Sequence, residues 1–556
     1  MIKVKILGDL KTAAENLGFP STDIVLSIPK NSQFGDYTTN LALQLSKQSS
    51  QNAKQNPTGI ANSILEKFGK PEYLDKIEVA GNGFINLFIK DSYLLKVLQD
   101  GSFPDKKQSG KVLIEYGHVN PLKEVHIGHL RTFILGESIS RIFDSVGYQV
   151  FRANYQGDIG LHIAKAIWGI KKIGMPSKDL SLEEKAKFLG QSYARGNESY
   201  EADDSVKKEI DQINKKLYKK DPELKDIYSL ARNWSLEYFQ PIYELLGVKY
   251  DRCFFESEVF EEGKKIVEDN IGKVFIKNDG AIIFPGEKIG LHNRVFITSA
   301  SNPTYEGKEI GLAQLEYDTF NYDQSIHVVA SEQDGYFQVV IAAIDKIFPY
   351  LKGKKKHLSY GVVDLKEGKM SSRTGNVITV DDLYKVVLEK VREVMKRNSL
   401  EIDQNIAKSI ALGAIKFAYL KYSPRPNMIF DLEQSVSLDG DSGPYIQYTF
   451  ARIQSVLKML KKDIKLEEID IETYERDILR SLLYFPEIVE QTSIELHPNI
   501  LASYLIDLSK LYNLFYQKCR IIGSDKEEFR LNLSTAVSDV LKSGLFLLGI
   551  DAPEKM

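Results

Sequence analysis

The residues best placed to do chemistry lie between Lys111 and Ala164: Glu115, His118, Asn120, Lys123, His126 and His129, with Gly128 between the last two. His126 and His129 are three apart at the entrance of a helical stretch, so they share one side of its first turn. A helix start offers unpaired N–H groups and the positive end of the backbone dipole, which suits a phosphate. Gly128 removes a Cβ where a ligand can lie against backbone. Neutral imidazoles donate to phosphate oxygens, and protonated ones add charge where a phosphate group departs. A pair of exposed loop histidines is the plainer alternative. Zinc is disfavoured: His118 and His162 offer nitrogen, but the two cysteines, Cys253 and Cys519, are far off in the chain.

Strands and helices must position these groups. Val112-Leu113-Ile114 reads as a strand, about 130–146 as a helix and Tyr148-Gln149-Val150-Phe151 as the next strand. Asn154-Tyr155-Gln156-Gly157-Asp158-Ile159-Gly160-Leu161-His162 follows, where open α/β sheets bind ligands. A second half is expected from Val295-Phe296-Ile297. It continues with a helix after Pro303-Thr304-Tyr305 that carries Lys308, Glu309, Leu312 and Leu315. Ile326-His327-Val328-Val329-Ala330 has the apolar run of an inner parallel strand. Ser331-Glu332-Gln333-Asp334-Gly335 then points polar groups into the crevice, ahead of a helix over 336–347. His357 to Val363 closes the sheet, and Gly368 to Asn376 is a glycine-bounded loop.

The rest sorts by pattern. Residues 1–92 read as a small α+β domain, with strands about Leu26 and over Phe84–Ile89. A polar linker leads to an α/β domain over 111–379. A charged helical and hairpin insertion occupies about 176–290, with the hairpin turning at Asn278-Asp279-Gly280. From 380 to 556 the apolar spacing is helical almost throughout, over 380–397, 403–421, 442–462, 474–492, 498–522 and 528–548. The expected fold class is therefore α/β, a Rossmann-like nucleotide-binding domain with a small N-terminal α+β domain and a C-terminal all-α helix bundle.

At 556 residues the chain exceeds one ordinary core. Lys+Arg 73 against Asp+Glu 76 leaves a net charge of -3, so composition alone does not advertise nucleic acid, although a basic strip on one face would escape that count. Two cysteines exclude a disulfide framework and fit a reducing compartment. The N-terminus lacks an apolar signal core, and the chain has no apolar run of membrane-spanning length, so a cytoplasmic location is expected.

His126-Ile127-Gly128-His129 resembles the HIGH signature of class I aminoacyl-tRNA synthetases, and Gly368-Lys369-Met370-Ser371-Ser372-Arg373 resembles their KMSKS loop. Both signatures, in that order, are specific. The wider pattern Glu115, Asn120, Lys123, His126, His129 is similar to that of arginyl-tRNA synthetases. The resemblance implies an arginine pocket of Glu115, Asn120, Tyr305, Glu309 and Gln333, and an ATP site of His126, Gly128, His129, Lys369 and Met370. It implies catalytic roles for His126, His129, Lys123, Lys369, Ser371, Ser372 and Arg373. Contact with tRNA would come from Phe34 in the N-terminal domain and Tyr448, Arg452 and Tyr516 in an anticodon-binding bundle. Three positions depart from the family pattern: Glu309 where aspartate is common, Arg373 where lysine is usual, and His162 where many members have glutamine.

A guanidinium is a planar fork that carboxylates meet bidentately, so Glu115 and Glu309 suit arginine. The implied reaction is ATP-dependent charging of tRNA(Arg) with L-arginine, Mg²⁺ arriving with ATP and no structural metal. A monomer is expected, with neither DNA nor membrane as partner. Three other readings compete. A cysteinyl-type synthetase would bring zinc-binding cysteines, which the lone Cys253 of this region does not supply. A small-cofactor nucleotidyltransferase leaves both outer domains unexplained. A non-enzymatic tRNA-binding descendant has no need of His126, His129, Lys369 and Gln333.

Overall fold

The computed structural model describes residues 2–19, 23–48, 56–101, 108–176, 179–366, 378–398, 403–458 and 469–556. They form two compact units. The larger spans 104–459, 486–510 and 538–556; the smaller spans 1–103, 460–485 and 511–537.

The larger unit is built on five parallel strands: β1 (Lys111–Glu115), β2 (Gln149–Gln156), β3 (Arg252–Phe255), β4 (Gln324–Ala330) and β5 (Lys355–Tyr360). Their order is β5-β4-β1-β2-β3. Val112, Leu113 and Ile114 in β1, and Ile326 and Val328 in β4, are buried, as inner strands covered on both faces require. The chain runs outward from β1 to β3 and returns on the other side at β4. The strand order therefore reverses between β1 and β4, where open α/β sheets hold ligands. Glu115 stands beside His327 in the register of these two strands.

The helix Ile127–Val146 follows β1 and is buried almost all round. Its Arg131 is 2% exposed, and its guanidinium donates to the carbonyls of Gly361 (2.6 Å), Pro424 (2.7 Å) and Pro426 (2.9 Å). Ser138 donates to Leu547 O at 3.0 Å and Arg141 to Phe546 O at 3.1 Å.

Within 176–290 the helices Leu182–Ala202, Asp204–Tyr218 and Pro222–Leu246 bury Leu189, Ile210, Leu217 and Trp234 with Ile163, Ile167 and Trp168 of the helix Leu161–Ile173. The insertion thus shares one core with helix 161–173. Helices 161–173 and 182–202 approach so closely that a Cβ on Gly169 would sit 1.9 Å from Ser192 O, and one on Gly196 2.0 Å from Lys165 O. The chain then returns to the sheet through β3 before the hairpin of Ile276–Asn278 and Ala281–Phe284, whose turn takes positive φ at Asp279 and Gly280. Arg294–Ile297 corrects an expectation. It does not open the second half of the parallel sheet but pairs antiparallel with Ala281–Phe284, where Phe296 packs with Phe275 and Phe284. The second half begins at helix Tyr305–Thr319 and β4.

The smaller unit holds a four-stranded antiparallel sheet of Leu26–Ser27, Tyr37–Thr39, Phe84–Ile89 and Leu74–Ala80, in that spatial order. Helix Ile2–Asn16, which the sequence reading passed over, buries Ile6, Leu10, Ala13 and Ala14 at helical spacing. Asp36, 1% exposed, accepts from Ile89 N at 2.7 Å and from both Arg476 NH groups at 3.2 and 2.9 Å.

Candidate active site

His126 is the N-cap of helix 127–146. Its Nδ1 accepts from Gly128 N at 3.1 Å, and its own N–H donates to His129 Nδ1 at 3.2 Å. Two imidazoles thus form a capping box where Ser and Glu usually stand. Each Nδ1 is an acceptor, so the ring proton of each neutral imidazole lies on Nε2. The rings sit 3.8 Å apart, centroid to centroid. Burial and the nearby Lys123 ammonium lower the His126 pKa. Burial, with His126 and Lys123 beside it, takes His129 down to about 3. The sequence left neutral and protonated imidazoles open; the geometry favours two neutral Nε2–H donors.

These donors open on a cavity of ≈ 690 Å³ lined by His118, Asn120, Lys123, His126 and His129 on one side and by Gly190, Gln191 and Tyr193 of helix 182–202 on another. Burial lowers the Lys123 pKa, and its ammonium lies 5.0 Å from the centroid of Tyr193. Asn120 Oδ1 accepts from Gly157 N at 2.8 Å. Thr379, Asp381 and Asp382 close a further side. Residues 378–380 are strapped to the histidine loop by Ile127 N to Ile378 O and Val380 N to Val125 O, both 3.1 Å. Lys369, Met370, Ser371, Ser372 and Arg373 lie outside the described residues.

Behind His118 the site continues into the reversal between β1 and β4. His118 holds a positive φ of 54° and places Nδ1 3.5 Å from Glu115 Oε1. Glu115 is 1% exposed, and its Oε2 is buried without a hydrogen-bond partner. Glu309, buried on helix 305–319, has a pKa raised well above the carboxylate range by burial and then by the nearby Glu115. Two buried acids near one another, one with an orphaned oxygen, make a pocket for a cation. Tyr305, at the start of this helix, is 55% exposed, and Gln333 is exposed at the end of a short turn after β4. The structure therefore brings Glu115 and Glu309 together and groups Asn120, Lys123, His126 and His129, with His118 bridging the two sets.

Asp158 is spent on structure. It accepts from Tyr228 (2.9 Å), Arg232 (3.0 Å) and Ser257 N (2.9 Å), tying the loop to helix 222–246. His162 Nε2 lies 2.9 Å from Gly157 O, and burial brings its pKa to about 4. Phe34 is 53% exposed in the smaller unit. Tyr448 and Arg452 pair one turn apart in the larger unit, guanidinium 4.8 Å from the ring, whereas Tyr516 stacks on Tyr512 in the smaller one.

Comparison with known proteins decides what this arrangement belongs to. A family model described as "tRNA synthetases class I (R), catalytic domain" matches residues 94–432, more than half of the chain. The chain belongs to the arginyl-tRNA synthetases. Models for the arginyl-tRNA synthetase N-terminal domain and the DALR anticodon-binding domain match residues 2–89 and 446–556. An arginine–tRNA ligase of Parabacteroides distasonis is 33% identical over 517 residues, covering 85% of this chain and 86% of that protein. The arginyl-tRNA synthetase of Thermus thermophilus superposes with a TM-score of 0.87 at 25% identity, covering 100% of both chains. The fold also matches that of the Plasmodium falciparum arginyl-tRNA synthetase, with a TM-score of 0.82 over 100% of this chain and 99% of that one, at 23% identity.

Sequence reasoning gave no role to three buried neighbours of Glu115, namely His327, Glu316 and Lys355, and did not place His118 beside Glu115. One signal was available. His327 is the one polar residue in the run 326–330, and Glu316 is seven residues after Glu309, two helical turns along the same face.

Proposed function

We infer that the chain is an arginine–tRNA ligase that works in two steps. The α-carboxylate of arginine attacks the α-phosphorus of ATP; a carboxyl O–P bond forms, the bond to the β-phosphate oxygen breaks, and pyrophosphate leaves. The 2'-hydroxyl of the terminal adenosine of tRNA(Arg) then attacks the adenylate carbonyl. The new ester forms, the carbonyl–phosphate bond breaks, AMP departs, and the hydroxyl proton is lost. No protein nucleophile is needed; positioning and charge stabilisation do the work.

His126 and His129 supply Nε2–H donors to the phosphates, and Lys123 adds charge beside them. Glu115 and Glu309 receive the guanidinium, with Asn120, Tyr305 and Gln333 completing the pocket. Lys369, Met370, Ser371, Ser372 and Arg373 act on the triphosphate, which carries Mg²⁺. Phe34, Tyr448, Arg452 and Tyr516 meet tRNA through domains over 1–92 and 380–556, on either side of a catalytic domain over 111–379. The protein acts as a cytoplasmic monomer; among the described residues no helix is long and apolar enough to cross a membrane. The observation that carries this reading is the pair of neutral imidazole donors at one helix start, opening on a cavity next to a buried two-acid pocket.

Charging of total tRNA with ATP, Mg²⁺ and each amino acid separately tests it, together with pyrophosphate exchange with and without tRNA. Arginine alone should be charged. Charging with another amino acid would remove Glu115 and Glu309 from the role given them. Tight tRNA binding without charging would leave a binding protein.

A further inference from the structure

Beneath Glu115 lies a second buried layer that the reaction as written does not use. In a parallel strand alternate residues face one side. Ser325 and His327 of β4 pair in register with Lys355 and His357 of β5, and His327 also pairs with Glu115 of β1. Lys355, Ser325, His327 and Glu115 thus share one face of the sheet, the face that also meets Glu316. Glu309 and Glu316, two turns apart, share one face of helix 305–319.

The contacts close a network. Lys355 Nζ is 2.6 Å from Glu316 Oε2 and 3.0 Å from His327 Nε2, and Ser325 Oγ is 3.2 Å from that same nitrogen. An ammonium has only donors, so His327 Nε2 is the acceptor and the ring proton lies on Nδ1. That Nδ1 is 3.3 Å from Glu115 Oε1, a close electrostatic approach rather than a hydrogen bond, since Nδ1 has no hydrogen-bond partner. One oxygen of Glu115 therefore faces His327 and His118; its Oε2 and Glu316 Oε1 are buried without a donor, and the Glu316 carboxyl lies within hydrogen-bonding reach of Glu115 itself. Glu115, Glu316, His327 and Lys355 are all at most 5% exposed. The carboxyl and imidazole atoms of Glu115, Glu316 and His327 lie within 4.8 Å of one another, a spacing that a metal ion could also use. Lys355 already sets a positive charge against Glu316 and His327, so a resident cation from the chain itself fills that need. The other titratable groups around the cluster are His118, His357, Tyr155, Tyr322, Tyr336 and Glu256.

We propose that Glu316 and Lys355 are positioning residues of the arginine pocket: a buried ion pair, set against Glu115 both directly and beside His327, that fixes the orientation of Glu115 and sets the negative charge it offers to the guanidinium. The proposal rests on the assignment of Glu115 and Glu309 to arginine. With Glu316 ionised, Lys355 is neutralised by it and Glu115 stays available. Without the Glu316 charge, the Lys355 ammonium turns to Glu115 and competes with the substrate.

Equilibrium dialysis of labelled arginine against the full chain, with and without tRNA, tests this, alongside steady-state charging by the wild type, Glu316→Gln, and Glu316→Gln combined with Lys355→Met. The single variant should raise the arginine Kd and KM by at least about tenfold, with kcat and the ATP KM within about threefold of wild type. The double variant removes both charges and should return arginine binding to within about threefold of wild type. Damage to packing alone would lower Tm and kcat together and would not be repaired by a second core substitution. The proposal is overturned if Glu316→Gln binds arginine like the wild type, or if the double variant is no better than the single. Failure of the wild type to bind arginine at all is a different result, and would overturn the pocket assignment itself.

Discussion

Arginine binding should release a proton. Three carboxyl groups, Glu115, Glu309 and Glu316, gather around one resident cation, Lys355. Burial pushes Glu316 up to about 7 against the pull of Lys355, and burial with Glu115 alongside pushes Glu309 well above the carboxylate range. Near neutral pH the empty pocket therefore holds protons. The guanidinium does not titrate in this range, and its arrival favours the carboxylate forms. The sign follows: affinity rises with pH until the pH passes the pKa of the empty pocket, and then levels off. For one group at about 7, lowering the pH from about 8 to about 6 weakens arginine binding about tenfold, or about 1.4 kcal/mol. Glu309 adds to that slope, so tenfold is the lower bound. Burial and Lys355 keep His327 neutral across this window, so it does not oppose the effect. Calorimetric titration at about pH 6.5 in two buffers of different ionisation heat counts the protons, with at least about one released to the buffer as the expected result. Equal heats in both buffers, with a Kd unchanged between about pH 6 and about pH 8, would refute the reasoning.

Two other outcomes follow from the geometry. His129→Ala removes an Nε2–H donor and one half of the capping box; pyrophosphate exchange should fall about 10²–10³-fold. Because His129 titrates at about 3, it should contribute no inflection to the wild-type exchange rate under saturating arginine between about pH 6 and about pH 8. Gly196→Ala places a methyl 2.0 Å from Lys165 O, so helices 161–173 and 182–202 must part. A loss of about 1–3 kcal/mol in urea unfolding is expected, with the arginine Kd unchanged because Gly196 lines no part of that pocket.

Much of the fold was legible because it obeys local periodicity. The apolar run of β4, the Asn278-Asp279-Gly280 turn and the bundle helices each announce themselves within ten to twenty residues. What escaped is what depends on pairing. Phe296 reads equally well as a parallel-strand residue or as part of an antiparallel sheet; only Phe275 and Phe284 decide it. The helix Ile2–Asn16 buries four small or aliphatic residues, too thin a stripe to stand out among its lysines. At the site, His126, His129, Glu115 and Glu309 stood out through spacing and resemblance. Lys355 did not: in the sequence it belongs to the basic run Lys352-Gly353-Lys354-Lys355-Lys356, which reads as a solvated face or a contact with the tRNA backbone. In the structure Lys355 is buried against Glu316, while Lys356 is exposed. Strand alternation sends adjacent lysines to opposite environments, and no count of charges reveals that.

The helix that carries the two histidines cannot finish folding early. Its Arg131 is satisfied by carbonyls as far along as Pro426, 295 residues later, and Ser138 and Arg141 by Leu547 and Phe546, more than 400 residues later. On a ribosome, this helix emerges well before Pro424 and Pro426, and longer still before Phe546 and Leu547. A buried guanidinium without acceptors is costly, so a nascent or prematurely terminated chain holds its phosphate-binding turn in an unfinished state.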